Sequence, residues 1–402
     1  MRVPFWLGSL FSLTFVSCSS SQEAVLSREP SSTAAGLNQE TYLGGSAEAE
    51  AAQFETMKTQ IRDIIVRQTK TLRGQDTHQR GFHSKAHGCL KGTLALDSDR
   101  PSWTRHGIFG NETQGWKLWA RFSNGAGWRE ADINPDVRGL ALKVIGVPGP
   151  KFMSDESMTQ DFVMINNATG FGSDGKRFMD FAEVNAKSKG LKRLTELSAY
   201  AALNRDTHSA IMRGVTTTPL IKSVADIQYW GGTPYRLGPD QAIKYSVRPM
   251  ECFRASVHSD CNSGKDIPEE AKDTGRFERE LACRVQDRPN YAPKDENGLH
   301  IVREGFCMEL VVQPQDLERP ERTPIEDTSK EWKTPFTRVG IITFRNQVPS
   351  EHADLCEKMV FNPWHAIEAH RPLGHQNRAR RVVYEASAVH RQGGVTEAAL
   401  EW

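Results

Sequence analysis

Seven short β-type runs, each bounded by Gly, Asn, Asp or Pro, constrain the fold of this 402-residue chain more than any other feature. Four of them lie in the first half of the chain and three in the second, with helical spacing between the two groups. Strands, then helices, then strands again predict an α+β fold with an antiparallel sheet or barrel. The runs are 91–96, 117–122, 139–145, 161–165, 242–248, 306–312 and 337–344.

Helical spacing marks the remaining structured segments. Apolar residues recur every three or four positions from Glu48 to near Gly74, which predicts an amphipathic helix. These residues are Phe54, Met57, Ile61, Ile64 and Ile65. Further helical segments are predicted over 176–186, 191–204 and 207–214, and in the tail through 366–367 and over 379–389.

The N-terminus has the pattern of an export signal. Met1-Arg2 is a short basic start, and residues 3–16 are uncharged and mostly apolar, a run too short to span a bilayer. Phe15-Val-Ser-Cys18 resembles a bacterial lipobox, which implies cleavage before Cys18 and lipidation of its thiol. The alternatives are an ordinary signal peptide cut nearby, or a buried strand. Ser19 resembles an outer-membrane sorting residue, so we expect a lipid-anchored protein that faces the periplasm.

These patterns divide the chain into four parts. Residues 1–17 form the signal, and 18–47, rich in Ser, Ala, Glu, Thr and Gly, read as a flexible tether. Residues 48–345 form one β-rich domain with helical insertions, and 346–402 form a helical segment of the same domain.

Six cysteines remain if Cys18 carries lipid, and an even number permits three disulfides in an oxidising compartment. Three of them lie in the polar stretch 251–297, which is expected to be loop-rich or a local insertion, so at least one bond is expected there. Buried free thiols are the alternative. The six are Cys89, Cys252, Cys261, Cys283, Cys307 and Cys356.

Composition excludes several classes of protein. With 25% charged and 38% hydrophobic residues, the chain is neither disordered, collagen-like nor a polytopic membrane protein. Its formal net charge of +1 gives no field that would attract DNA or RNA, so no nucleic-acid partner is expected.

Four separated segments, in the family's order, resemble the haem catalase superfamily. Each is weak alone, and together they cover the chain from about residue 75 to 391. The segments are Arg80-Gly-Phe-His-Ser-Lys-Ala-His-Gly88; Ala120-Arg-Phe-Ser123 with Asp136-Val-Arg-Gly-Leu-Ala-Leu-Lys143; Tyr229-Trp230 with Thr233-Pro-Tyr-Arg236 and Ala242-Ile-Lys-Tyr245; and Glu326-Asp-Thr-Ser-Lys-Glu-Trp332 with Pro335 and Val339-Gly340.

The resemblance implies an eight-stranded antiparallel β-barrel with flanking helices and a bound haem b. It implies that His83 is the distal acid and base, because cleavage of a peroxide O–O bond requires one group that takes a proton and returns it. Ser123 would orient that imidazole. An ordinary structural histidine is the alternative reading of His83.

The resemblance also implies the residues that hold the cofactor. Arg80, Arg121 and Arg371 match arginines that bind haem propionates, and a guanidinium suits a carboxylate because it can bind both oxygens. Phe171 matches an aromatic that lies over the haem. Surface arginines and a core phenylalanine are the alternatives.

Two departures from the family pattern matter. The distal asparagine is missing, and counting back from the strand at 161–165 assigns its position to Thr159 or Gln160, either of which can donate a hydrogen bond. On the proximal side, catalases use a tyrosinate with an arginine one helical turn earlier. Aligning the family's HRLG segment with His370-Arg-Pro-Leu-Gly374 assigns Trp364 or His365 to the tyrosine position.

Tryptophan cannot ligate iron, whereas histidine can, so His365 is the predicted axial ligand. Tyr384 is the nearest tyrosine but lies too far along the chain to match by this alignment. An ordinary helix histidine is the alternative for His365.

Two functions follow as hypotheses. The first is a haem peroxidase or catalase-type oxidoreductase that acts on hydrogen peroxide or on organic or lipid hydroperoxides. The second is a pseudoenzyme lipoprotein that has lost the axial tyrosine and binds haem without catalysis, or binds another ligand. The oligomeric state is open, and a lipid-anchored position at a membrane surface would bring the site near lipid peroxides.

Overall fold

One antiparallel sheet, rolled into a barrel, organises the structure. The computed structural model describes residues 40–71, 80–110, 115–153, 158–217, 221–252, 275–285 and 305–391. Within these ranges the strands hydrogen-bond in the order β5-β4-β3-β2-β1-β9-β8-β7-β6. They are β1 (Ala86–Leu96), β2 (Trp116–Asn124), β3 (Arg138–Ile145), β4 (Thr159–Ile165), β5 (Tyr229–Trp230), β6 (Tyr235–Leu237), β7 (Gln241–Met250), β8 (Phe306–Pro314) and β9 (Thr337–Phe344).

The barrel is closed by two short strands that share one position. Tyr229 and Trp230 of β5 pair with one half of β7, and β6 pairs with its other half. Trp230 of β5 also pairs with Ile165 of β4, which joins the two ends of the sheet. The predicted eight-stranded antiparallel barrel is therefore confirmed, with β5 and β6 together as one interrupted strand.

Strand alternation separates two faces of the barrel wall. On β2, β3 and β4 the side chains at even-numbered positions, such as Phe122, Leu142 and Phe162, fill an apolar interior. The side chains at odd-numbered positions of these strands point outward. Those outward side chains include polar groups such as Arg121 and Ser123, so the chemistry lies on the outer surface of the barrel and not inside it.

Seven helices are described: α1 (Ala47–Thr71), α2 (Gly175–Asn185), α3 (Gly190–Leu203), α4 (Arg205–Thr217), α5 (Arg276–Val285), α6 (Ala353–Lys358) and α7 (His375–His390). Helices α1, α2 and α7 share one buried apolar cluster. Helices α2, α3 and α4 share another, around Phe171, Phe181 and Leu197. None of these helices is both long enough and apolar enough to cross a membrane.

Most predicted elements are confirmed, and two regions differ. The polar stretch 251–297 contains α5, whose buried Phe277 and Leu281 join the barrel core. The helical spacing through 366–367 does not give a continuous helix: α6 ends at Lys358, and only a short 3₁₀ turn, Glu368–His370, follows before α7. A continuous helix does not form here because Pro363 and Pro372 cannot donate the backbone hydrogen bonds that a helix needs.

Two disulfides join distant parts of the chain. Cys89 on β1 bonds Cys356 on α6, and Cys252 bonds Cys307 on β8. Cys283 is also disulfide-bonded. Cys252 is bonded outside the 251–297 stretch, to Cys307 of β8, so this bond is not the one expected within that stretch.

Candidate functional site

A cavity of about 240 Å³ lies between the outer face of the barrel and the helices. Strands β2 to β4 supply one wall, and α7 supplies another. Its polar lining comprises Arg80, His83, Arg121, Ser123, Asp136, Asn185, Arg193, Thr233, Gln376, Arg380, Tyr384, Ser387 and Arg391. Among the sequence-predicted site residues, the structure thus brings His83, Ser123, Arg80, Arg121 and Phe171 to one cavity.

His83 has an unusual backbone. Its φ of 55° is the only positive value at a non-glycine residue in the described ranges, a conformation that costs roughly 1–3 kcal/mol. The surrounding chain holds it there: the His83 amide donates to the carbonyl of Gly125 at 3.0 Å, and Arg121 donates to the His83 carbonyl at 2.8 Å. Strain maintained in this way is typical of residues whose side-chain direction matters for function.

The His83 ring is oriented by two neighbours. Its Nδ1 lies 3.2 Å from Oγ of Ser123, so Nε2 is the nitrogen left for the cavity. A Cβ at Gly139 would come within 2.5 Å of that Nδ1 and 2.8 Å of the serine Oγ. Glycine at 139 therefore makes room for the His83–Ser123 pair.

Burial keeps His83 neutral. Desolvation, opposed by Asp136 and assisted by Arg121 and Arg80, lowers the pKa of His83 to about 4. The imidazole is therefore unprotonated at neutral pH and able to accept a proton from a bound molecule.

Three arginines meet at the edge of the cavity. Arg80, Arg121 and Arg391 all line it, and burial together with their mutual repulsion lowers the pKa of Arg80 and Arg391. Glu357 is the carboxylate among them: its oxygens lie 2.9 Å from Arg80 and 3.0 Å from Arg121. Although burial opposes ionisation, the arginines lower the pKa of Glu357.

One donor of this arginine cluster (Arg80, Arg121 and Arg391) has no partner in the described part of the chain: Nε of Arg121 is buried without a hydrogen-bond acceptor. A buried donor without a partner is costly unless a ligand compensates it, so the cluster is suited to a molecule with anionic groups.

Helix α7 presents one continuous stripe to the cavity. Arg380, Tyr384 and Arg391 line the cavity at four- and seven-residue spacing, with Val383, Ser387 and Ala388 between them. Such spacing puts side chains on one face of a helix. The stripe therefore combines a phenol, an arginine one turn before it and an arginine two turns after it.

Arg380 is held in a dense polar network. One terminal nitrogen donates to Thr233 at 2.8 Å and to Tyr235 and Asn377 at 3.1 Å each. The other lies 3.4 Å from the phenol oxygen of Tyr384. Burial opposes the charged form, but the tyrosines Tyr235, Tyr384 and Tyr245 outweigh it and raise the pKa of Arg380. A permanent positive charge thus lies next to Tyr384.

Phe171 belongs to the apolar part of the lining. Its ring stacks on Phe181 with centroids 4.4 Å apart and nearly parallel planes. The same buried cluster includes Leu197 and Ile211, which also line the cavity. The predicted aromatic therefore reaches the site, as part of an extended apolar wall.

Thr159 and Gln160 lie away from the cavity. Strand β4 contributes Val163, Met164 and Ile165 to the lining, from its second half, whereas Thr159 pairs with Ile145 at the opposite end of β3. The Gln160 side chain instead accepts a hydrogen bond from the amide of Ile367 at 3.1 Å. Counting back along β4 led to its first residues, at the end that pairs with the last residues of the antiparallel strand β3. Only the other end of β4 meets the cavity.

His365 and Trp364 are not among the residues that line the cavity. Nδ1 of His365 lies 2.8 Å from Asp161, which in turn accepts from Lys143 at 3.0 Å, and all three side chains are fully buried. The Trp364 indole donates to the Asn377 carbonyl at 2.6 Å. This Lys143–Asp161–His365 triad attaches the segment before α7 to the barrel wall, so the geometry gives His365 a packing position.

Arg371 is likewise engaged elsewhere. Its guanidinium lies 2.7 Å from Glu40, and Arg378 lies 3.1 Å from the same carboxylate. The third member of the arginine cluster is therefore Arg391 and not the predicted Arg371. Two signals could have found the α7 residues in the sequence: the four-residue spacing of Arg380 and Tyr384, and the helical spacing that continues to Arg391.

Comparison with known proteins agrees with this geometry. A family model described as Catalase matches residues 48–400. No curated protein sequence matches the chain significantly.

Solved structures of catalases share the fold at low sequence identity. A fungal catalase is 17% identical with a TM-score of 0.57, over 78% of this chain and 59% of its own. Catalase A from Saccharomyces cerevisiae is 15% identical with a TM-score of 0.58, over 80% and 62%. A bacterial catalase is 21% identical with a TM-score of 0.57, over 80% and 59%. The match thus spans about three fifths of the length of these catalases.

The fold is a closed antiparallel barrel. Its outer face and the flanking helices enclose a histidine and a phenol with an arginine beside it. These features define a catalase-fold protein. The chain belongs to the catalase family.

Proposed function

We propose that this protein is a haem-dependent enzyme that acts on hydroperoxides, with His83 as the acid and base and Tyr384 as the iron ligand. One observation carries the proposal: a single cavity is lined by the oriented imidazole of His83, by the Arg380–Tyr384 pair and by the arginine cluster.

The residues present fit a haem b. Its two propionates match the guanidinium groups of Arg80, Arg121 and Arg391 at the cavity, and the partnerless Nε of Arg121 would gain an acceptor. Tyr384 supplies a phenol oxygen, and Arg380 places a positive charge 3.4 Å from that oxygen. Bound haem would supply an iron centre that provides the electrons consumed when a peroxide O–O bond breaks.

His83 would handle the proton. Because it is neutral at pH 7, Nε2 can accept the proton of the ROO–H group while Nδ1 stays paired with Ser123. The same nitrogen then returns the proton to the oxygen that leaves as water or as an alcohol. Ser123 fixes the ring orientation throughout.

The lining favours an organic hydroperoxide over hydrogen peroxide. Phe82, Phe178, Leu194 and Leu197 contribute apolar surface well beyond what a molecule with two oxygens can contact. An alkyl or acyl chain would bury against it, with a gain of roughly 0.8 kcal/mol per methylene.

The pseudoenzyme alternative began from the absence of a tyrosine below the haem. Tyr384 lines the cavity, so that reason no longer supports it. The alternative stays a possible outcome of the experiment that follows.

Hemin titration of the purified full chain tests the proposal. We expect a Soret band in the wild type, and a shift of that band together with weaker hemin binding in Tyr384→Phe. Turnover of cumene hydroperoxide, measured with guaiacol as the electron donor that returns the two electrons consumed in each cycle, should fall by about 10²-fold or more in His83→Ala while the Soret band persists. A chain that binds no hemin would refute the proposal, and one that binds it without turnover would support the pseudoenzyme.

His365→Ala is the matched control for the iron ligand. It removes a buried imidazole from the Lys143–Asp161 pair, so we expect a loss of stability of about 3 kcal/mol. The Soret band should be the same as in the wild type. A Soret shift in His365→Ala, with none in Tyr384→Phe, would return the ligand role to His365.

We further propose that the protein is exported and anchored to the outer membrane through Cys18. The disulfides Cys89–Cys356 and Cys252–Cys307 support an oxidising compartment. Labelled palmitate should be incorporated in the wild type and not in Cys18→Ala, and fractionation should recover the wild type with outer membranes. Label in both chains, or in neither, would contradict the lipid anchor.

A further inference from the structure

Arg193 of α3 is a buried cation in the wall of the cavity. Its guanidinium binds four groups: Asn185 at 2.9 Å, Glu130 and Asp136 at 3.1 Å each, and the carbonyl of Pro135 at 3.4 Å. It is 4% exposed. Since these contacts involve Nε and both terminal nitrogens, the guanidinium is fixed in one orientation.

Asp136 is the carboxylate through which Arg193 reaches the site. It lines the cavity, and its attraction opposes the lowering of the His83 pKa. Its other oxygen accepts from the amides of Gly125 at 2.9 Å and Ala126 at 2.8 Å. Arg138 lies 3.9 Å away, so Arg193 is the closer of its two arginine partners.

An apolar surface begins directly beside this ion pair. Val137 follows Asp136 in the chain, and Leu197 lies one helical turn after Arg193. Both contact the cluster that contains Phe171, Phe181 and Ile211. We call the cavity-lining residues Val137, Phe171, Phe181, Leu194, Leu197 and Ile211 the apolar wall. A charge at the edge of such a surface would hold water against it and oppose the entry of an alkyl chain.

We propose that Arg193 is a specificity-determining residue: by pairing with Asp136 and Glu130 it lowers the negative charge at the edge of the apolar wall, so that the cavity takes hydroperoxides carrying an alkyl or acyl chain in preference to hydrogen peroxide. This inference rests on the proposed hydroperoxide function and assigns its substrate class.

Arg193→Met tests the inference. The variant leaves Asp136 and Glu130 without their nearest cation, so the wall beside them becomes hydrated. We expect KM for cumene hydroperoxide to rise about tenfold with kcat nearly constant. The ratio of kcat/KM for cumene hydroperoxide to that for hydrogen peroxide should fall accordingly. An unchanged ratio would overturn the inference.

Two measurements on the haem-free chain separate this inference from the proposed function. Calorimetry with 2-phenyl-2-propanol, the alcohol formed from cumene hydroperoxide, should show about tenfold weaker binding to Arg193→Met. NMR titration of the His83 imidazole should show its pKa rising in the variant, because Asp136 then acts on it with less opposition while Arg121 and Arg80 stay in place. If turnover is absent but the alcohol binds more weakly and the pKa of His83 rises in the variant, the proposed function fails and the role of Arg193 in apolar binding stands. No change in either measurement refutes it.

Arg284→Met is the matched control. Arg284 is also 4% exposed and binds two carboxylates, Glu280 and Asp226, but it lies on α5 outside the cavity lining that the structure describes. It should lose comparable stability without a change in the substrate ratio. An equal change in both variants would attribute the effect to general destabilisation.

A rescue variant keeps the test decisive if Arg193→Met does not fold. In Arg193→Met/Asp136→Asn one of the two carboxylate charges is removed, and the asparagine oxygen can still accept from the Gly125 and Ala126 amides. We expect it to regain most of the affinity for 2-phenyl-2-propanol. Failure of the rescue in a folded double variant would contradict a role based on charge.

Discussion

Arg380 and Tyr384 lie one turn apart on α7, with a guanidinium nitrogen 3.4 Å from the phenol oxygen. The arginine is fixed by Thr233, Tyr235 and Asn377, so its charge cannot swing away from the phenol. This relationship gives the cavity a phenol oxygen with a fixed positive charge beside it.

Removal of that charge should weaken the ligand. In Arg380→Met the phenol loses the neighbouring cation that would compensate the negative charge of an iron-bound oxygen. We expect hemin affinity to fall about tenfold, since a nearby cation contributes roughly 1–2 kcal/mol to a partly buried anion. Hemin titration measures the change. Arg381→Met, which removes the adjacent arginine that donates to the Phe152 carbonyl, should bind as the wild type does. Equal affinity in the two variants would contradict the pairing.

The pH dependence of turnover should follow His83. A base is active only when unprotonated, and the pKa of His83 is lowered to about 4. The rate of peroxide cleavage should therefore stay level as pH falls from 7 to 5 and decline near 4. Stopped-flow measurements over this range check the result. A decline centred near 6.5, the ordinary value for histidine, would show that His83 is not the buried base described here.

Gly139→Ala should disable the site while the barrel persists. The new methyl group would lie 2.5 Å from Nδ1 of His83 and 2.8 Å from Oγ of Ser123, so the imidazole must rotate or shift. We expect turnover to fall by about 10²-fold, with a far-ultraviolet circular dichroism spectrum like that of the wild type.

Ser123→Ala is the comparison for that variant. It removes the hydroxyl that orients the ring without introducing a clash, so the loss should be smaller, about tenfold. A larger loss in Ser123→Ala than in Gly139→Ala would show that steric room at 139 is not what holds the pair.

The Cys89–Cys356 disulfide should stabilise the arginine cluster as well as the fold. It ties α6 to β1, and Glu357 follows Cys356 directly. The double variant Cys89→Ala/Cys356→Ala should lose about 2–4 kcal/mol in the free energy of unfolding. Hemin affinity should change as well, because Glu357 then holds Arg80 and Arg121 less firmly.

Cys252→Ala/Cys307→Ala is the control for the second effect. This bond joins Cys252, just after β7, to β8, away from the cluster, so its loss should change stability and leave hemin affinity as it was. Chemical denaturation and hemin titration of both double variants distinguish the two effects. Unchanged affinity in the Cys89/Cys356 variant would separate the disulfide from the site.

The distal half of the site was predictable from local patterns. Short strands with boundary glycines indicated the barrel, and the matched segments around His83 and Ser123 indicated the residues on its wall. Both signals are local, because strand alternation and turn residues are set by neighbours in sequence. Phe171 was reached by the same route.

The proximal half was not predictable by the same means. Alignment on Leu373-Gly374 assigned His365 to the ligand position, and the resemblance assigned Arg371 to a propionate. In the structure the His365 side chain contacts Asp161, and the Arg371 side chain contacts Glu40. Thr159 and Gln160 failed for a related reason, since the residues of a strand do not say which of its ends meets a cavity.

The sequence alone determined that the chain forms an antiparallel sheet or barrel, because strand alternation and turn residues are set by neighbours in sequence. That Ser123 accompanies His83, 40 positions away, was implied only by the resemblance to catalases. The tertiary structure alone decided which groups from the tail complete the cavity. Helix α7 packs on α1 with Arg380, Tyr384 and Arg391 turned toward the cavity, and the Lys143–Asp161 pair holds His365 in the barrel wall. Those choices depend on contacts between residues more than 200 positions apart, which no local pattern records.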